Sequence, residues 1–207
     1  MTNMDSALMK FLREDYPRHY GITDGGEIAV RREEPHRPTF EICDKKETII
    51  QEEGKGISKI RWQGDQVEVI DFEGYINQFG EEGVPRCDFV IASVSGDSFI
   101  MFNELTESES QYIRKGKSIY ATRQLAASIE RFYKVGNLLD GYAKKVALFS
   151  CRLTDKELNK KMKKGLMAFL KDQVMKRRGS MKVEIETIEG YGFTLDQRVY
   201  DELYCIS

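Results

Sequence analysis

The sequence predicts an α/β fold, a central mixed β-sheet flanked by helices, and three observations carry that prediction. An alternating run, Q-V-E-V-I-D-F (66–72), leads to two apolar runs, C-D-F-V-I-A (87–92) and F-I-M-F-N-E-L (99–105), which read as strands joined by a tight turn. The period then changes, because Ala121, Leu125, Ile129, Phe132 and Gly136 recur at helical spacing. K-K-V-A-L-F-S-C-R-L (144–153) returns to an apolar strand of the kind covered on both faces in a sheet interior.

Composition bounds the rest. At 207 residues with 41% hydrophobic side chains, the chain can bury a full core as one domain, 1–207. Its parts are an N-terminal helix and strands (1–64), an α/β core (65–155), and a basic helix with a C-terminal strand (156–207). The net charge of -2 makes no global case for a polyanionic partner, but the charge is uneven. Residues 41–109 carry 16 acidic and 6 basic side chains, whereas 155–182 carry 3 and 10, so acidic and basic functions are expected in different places. Cys43, Cys87, Cys151 and Cys205 show no C-x-x-C pairing, which argues against a zinc ribbon or disulfide framework and for reduced thiols. With no leader-like start and no apolar run of 18 residues, the expectation is a soluble cytoplasmic protein with no membrane association.

Taken in order, Asp5 or Ser6 can cap a short helix with Leu8, Phe11 and Leu12 on one side, ending before Pro17. Glu27–Val30 is a short candidate strand within a charged, glycine- and proline-rich segment. Strand-like runs follow in T-F-E-I-C (39–43), E-T-I-I (47–50) and I-S-K-I-R-W (57–62). The segment 73–85 reads as a loop, and a helix of about 18 residues, 118–135, follows the 87–105 hairpin. Thr154 and Glu157 form a capping box for a second helix, 155–177. M-K-V-E-I-E-T-I (181–188) reads as an alternating strand, and G-Y-G-F as a turn into a last short element. His19 and His36 lack ligand spacing and carry no chemistry.

The chemistry sits in two acids. Asp88 and Glu104 each interrupt an apolar strand, and a carboxylate buried there is costly unless it is paired or holds a metal. The succession D-F-E-G-Y (71–75), R-C-D-F-V-I (86–91), F-I-M-F-N-E-L-T (99–106), R-Q-L-A-A-S-I (123–129) and V-A-L-F-S-C (146–151) resembles the PD-(D/E)XK nuclease-like superfamily. The resemblance covers roughly residues 65–155 and implies a restriction-endonuclease-like core that cuts nucleic acid with Mg²⁺. It implies that Asp88 and Glu104 are metal ligands, with the Leu105 carbonyl beside them.

At the motif's lysine position this chain has Thr106, which shares the facing of Glu104 but not the charge. By analogy with losing one stabilising donor elsewhere, that substitution costs on the order of 10²- to 10³-fold in rate. Lys117, bordering the core-facing stripe of the next helix, is the candidate replacement cation. Gln124 stands where the superfamily often has a glutamine facing the site, so the candidate catalytic set is Asp88, Glu104, Lys117 and Gln124. The basic helix 155–178 is the candidate contact for nucleic acid. Two alternatives stay open: an inactive nuclease-like domain that binds nucleic acid or a protein partner, and a soluble α/β interaction protein whose acids are structural.

Overall fold

The computed structural model describes residues 6–21, 28–44, 47–64, 66–81, 83–95, 98–108, 114–153, 181–199 and 202–206. The chain enters through α1 (Ala7–Lys10), a π-helical turn (Phe11–Asp15) and α2 (Tyr16–His19), and Ser6 caps α1 by accepting the Met9 N–H at 3.1 Å. The helical path does not end before Pro17 as its sequence suggests. Pro17 falls in the first turn of α2, just after the π turn, where its missing N–H and fixed φ are tolerated. Tyr75 secures this segment from across the core by donating to the Leu12 carbonyl at 2.7 Å.

Next come β1 (Arg32–Glu33), β2 (Thr39–Ile42), β3 (Ile50–Gln51) and β4 (Ser58–Trp62), followed by β5 (Val67–Asp71) and α3 (Phe72–Asn77). β6 (Phe89–Ser93) and β7 (Phe99–Ser108) complete an antiparallel meander with β5. The long helix α4 (Arg114–Val135) and a 3₁₀ turn (Leu138–Gly141) lead to β8 (Lys144–Leu153), which pairs parallel to β7. α5 (Lys182–Gly190), β9 (Thr194–Val199) and β10 (Leu203–Ile206) complete the described chain.

Six strands form a mixed sheet in the order β1-β5-β6-β7-β8-β9, so 67–71, 89–93, 99–108 and 144–153 share one sheet as the patterning predicts. A second sheet runs β10-β4-β2-β3, with β10 parallel to β4, so the C-terminal strand completes a layer begun by the N-terminal third. The period-2 alternation of β7 divides the interior in two. Ile100 and Phe102 turn toward α1 and α4, joining Leu8, Leu12, Leu125, Ile129 and Phe132. Phe99 and Met101 turn toward the small sheet, joining Phe40, Ile42, Ile60, Tyr204 and Ile206. The result is an α/β protein whose larger sheet carries helices on one face and a second sheet on the other.

Three further expectations are corrected. The candidate strand Glu27–Val30 is not a strand at 28–30, and pairing with β5 begins only at Arg32. The loop expected over 73–85 begins as α3, because Asp71 caps it by accepting the Gly74 N–H at 2.7 Å while Phe72, Tyr75 and Ile76 bury one side. Gly74 is needed there, since a Cβ would lie 2.7 Å from Asp71 Oδ2. The run 181–188 is mostly the helix α5. Ile185 and Ile188, three apart, turn inward against the core and α4, while Val183 is left 72% exposed, which no buried strand would allow. The second helix expected over 155–177 lies outside the described residues.

Candidate functional site

The register of β6 against β7 pairs Phe89 with Asn103, and one further step sets Asp88 opposite Glu104. Directly opposed residues on an antiparallel pair have Cβ atoms about 4.5–5.5 Å apart and share a face. Here that face is the one carrying Val90, Ile100 and Phe102, toward α4. Asp88 is fixed at both ends. Its Oδ2 accepts the Leu105 N–H at 2.6 Å, and its carbonyl accepts the N–H groups of Phe72 and Glu73, at 2.9 and 3.1 Å, from the first turn of α3.

Three strand carboxylates are buried, and the fold treats them differently. Glu41 on β2 accepts the N–H groups of Gly54 and Gly56 at 3.0 and 2.8 Å and lies 3.6 Å from Lys59 Nζ. Glu68 on β5 receives the Ser6 hydroxyl and lies 3.3 Å from Arg32 Nη1. Glu104, only 6% exposed, has no cation beside it among the described residues, and its Oε2, like that of Glu68, has no hydrogen-bond partner there. Burial pushes its carboxyl up to about 10, and Asp88, Glu73 and Asp44 push the same way, while a hydrogen bond from the Asp88 backbone pulls back. Among the described residues nothing cationic lies beside it to offset that push.

A cavity of about 160 Å³ opens beside Asp88, lined by Asp44, Asp71, Glu73, Asp88, Gly74 and Arg31 among others, while Glu104 is not among its lining residues. Asp71 and Glu73 arrive there because the β5-to-α3 junction turns at Asp71, and Asp44 follows β2. In the sequence Asp71 falls in the alternating run 66–72 and Glu73 opens the 73–85 loop, and neither stands out as a ligand. Arg31 carried no signal at all, because it lies in a segment with no recognisable pattern.

The other candidates occupy defined places. Thr106 continues β7 on the Glu104 face, opposite Cys151 of β8. Lys117 donates from Nζ to the Glu107 carbonyl at 3.2 Å, beyond Thr106 on the same strand. Gln124 donates to the Arg86 carbonyl at 3.1 Å, and Ser128, one turn on, accepts the buried Cys87 N–H at 2.8 Å. Both α4 residues therefore hold the 86–87 segment that delivers Asp88. The basic helix 155–178 lies outside the described residues.

Chemically, the pair can hold one hard cation that keeps most of its waters, as Mg²⁺ does with one or two carboxylates. No group of three or more His, Cys, Asp or Glu side chains that could hold a metal ion occurs among the described residues. No helix of the described chain is long and apolar enough to cross a membrane, and the four cysteines form no disulfide among the described residues. Comparison with protein-family models, curated proteins and solved structures finds no match for the chain.

Proposed function

We propose that the chain is a nuclease-like protein of the PD-(D/E)XK kind, hydrolysing phosphodiester bonds of nucleic acid with Mg²⁺ at a weakened site. The observation that carries this reading is Glu104: a buried carboxylate facing other acids with no cation beside it among the described residues, where Glu41 has Lys59 and Glu68 has Arg32. A divalent cation relieves both the repulsion and the orphaned oxygen, so the residues present fit one. Asp88 and Glu104 would hold it, with the Leu105 carbonyl adjacent. Its chemistry would be activation of a water and neutralisation of charge on the phosphate. The strand order, an antiparallel meander followed by a helix and a parallel strand, supports a restriction-endonuclease-like core.

One observation favours a second reading. Thr106 offers no charge, and Lys117 is engaged with the Glu107 carbonyl, which suits an inactive nuclease-like domain that binds nucleic acid or a protein partner without turnover. Incubating the protein with single- and double-stranded DNA and RNA in Mg²⁺ or EDTA separates the two. Metal-dependent cleavage that Glu104→Gln abolishes supports the hydrolase; retention of nucleic acid without cleavage supports the binding domain; neither result, in a folded protein, leaves the acids structural.

A further inference from the structure

We propose that the outer face of the small sheet holds a second site, a cavity beside β2 and β4 that binds a phosphomonoester through Arg37 and Arg61. The inference goes beyond the hydrolase reading and does not rest on it.

The cavity measures about 990 Å³, the size of a small-molecule cleft, and its walls follow from strand alternation. Phe40, Ile42 and Ile60 turn inward to the core, so Thr39 and Glu41 of β2 and Lys59 and Arg61 of β4 turn outward. The register sets Thr39 opposite Arg61 and Glu41 opposite Lys59. Just before β2, the Pro38 carbonyl accepts the Trp62 N–H at 2.8 Å, which holds the 36–38 bend against the end of β4. Arg37 lies in that bend between Pro35 and Pro38, whose rings restrict the backbone on both sides of it.

Three acids line the cavity, and each already has a cation. Glu41 lies 3.6 Å from Lys59 Nζ and accepts two backbone N–H groups, Glu53 lies 3.1 Å from the same Nζ, and Glu52 lies 2.5 Å from Lys55 Nζ. Lys59 is spent on this pairing, but the two exposed arginines are not. Among the described residues Arg37 pairs with no carboxylate, and Arg61 commits only Nε, which donates to Thr39 Oγ1 at 3.1 Å. That bond orients the Arg61 guanidinium and leaves both Nη groups open. A guanidinium fork matches two oxygens of one phosphate, and it stays charged at any working pH. Two uncompensated positive charges match a phosphomonoester, which carries about −1.5 to −2 near neutral pH, whereas a single carboxylate answers only one of them.

The test uses the full chain in EDTA, so that the acids near Asp88 hold no metal. Inorganic phosphate, a 5′-phosphorylated thymidine tetranucleotide and its unphosphorylated twin are titrated by calorimetry and by amide NMR. Both phosphate-bearing probes should shift the Thr39 and Arg61 amides, and the twin should bind at least roughly 10-fold more weakly than the phosphorylated strand. A phosphorylated strand that binds more tightly than inorganic phosphate assigns the site to a nucleic-acid end; equal affinities assign it to a small phosphorylated molecule. Arg37→Gln and Arg61→Gln should each lose roughly 10- to 100-fold in affinity, the range for hydrogen bonds to a charged group. Arg61→Lys should fall between and guards against a folding defect. Lys134→Gln, the same charge change on α4 outside the cavity, should bind as the native chain does. A native chain whose Thr39 and Arg61 amides ignore phosphate overturns the inference. So does a folded double variant, Arg37→Gln with Arg61→Gln, that binds phosphate undiminished, and either result leaves the hydrolase reading standing.

Discussion

Asp88 Oδ2 accepts the backbone N–H of Leu105 at 2.6 Å, so the acid just before β6 is bonded to the residue just past the acid on β7. This bond fixes the pairing register where the two carboxylates meet, and Leu105 is itself buried. Asp88→Asn should therefore keep the fold, because a carboxamide oxygen can still accept. Asp88→Ala should cost about 1–3 kcal/mol, the penalty of an orphaned buried N–H. Urea melts of the two variants check the order, and both should lose Mn²⁺.

Glu104 gives a pH dependence whose sign is fixed. Its carboxyl, raised to about 10 by burial and by Asp88, is protonated in the folded chain and ionised in the unfolded chain between the ordinary carboxylate range and that value. The folded state then binds more protons, so this group's contribution is fully present at low pH and is lost as pH rises through the window. Without metal, Glu104→Gln should raise the melting temperature at pH 8 by roughly 2–8 °C, corresponding to about 1–3 kcal/mol, and flatten stability between pH 5 and 9. Calorimetry across that range checks it. With Mn²⁺ present the ranking should reverse, since only the native carboxylate can bind the ion.

The larger sheet was legible because β5, β6, β7 and β8 bury entire faces, and burial forces a period of two or a continuous apolar run. Asp88 and Glu104 were legible for the same reason: an acid in such a run violates the pattern. Where the pattern had two solutions, the sequence misled. Val183, Ile185 and Thr187 alternate like a strand, but Ile185 and Ile188 also face one side of a helix, and packing on α4 selects the helix. α3 was hidden by Gly74, which usually marks a turn and here serves close approach to Asp71. Arg31 could not have been found, because its contacts to Glu47 and Asp71 join residues 16 and 40 positions away.

Ser128 ties α4 to the site. It accepts the Cys87 N–H at 2.8 Å and donates to the Gln124 carbonyl at 2.8 Å, within fully buried surroundings. Ser128→Ala should cost about 1–3 kcal/mol by orphaning that N–H. It should also loosen the 86–87 segment, so Cys87 should gain amide hydrogen exchange selectively over Ile129, a core position on the same helix.

Thr106→Lys places an ammonium on the Glu104 face of β7, where Thr106 is only partly buried. If cleavage is limited by the missing cation, this variant should cut nucleic acid roughly 10²- to 10³-fold faster than the native chain in Mg²⁺. A folded, metal-binding Thr106→Lys that stays silent would count against a nuclease site.

The most direct test of the central claim is a crystal soaked in Mn²⁺ and read by anomalous scattering. The proposed site predicts one ion shared by Asp88 and Glu104, with metal–oxygen distances near about 2.1 Å. Ordered side chains at both positions with no anomalous peak between them would contradict it.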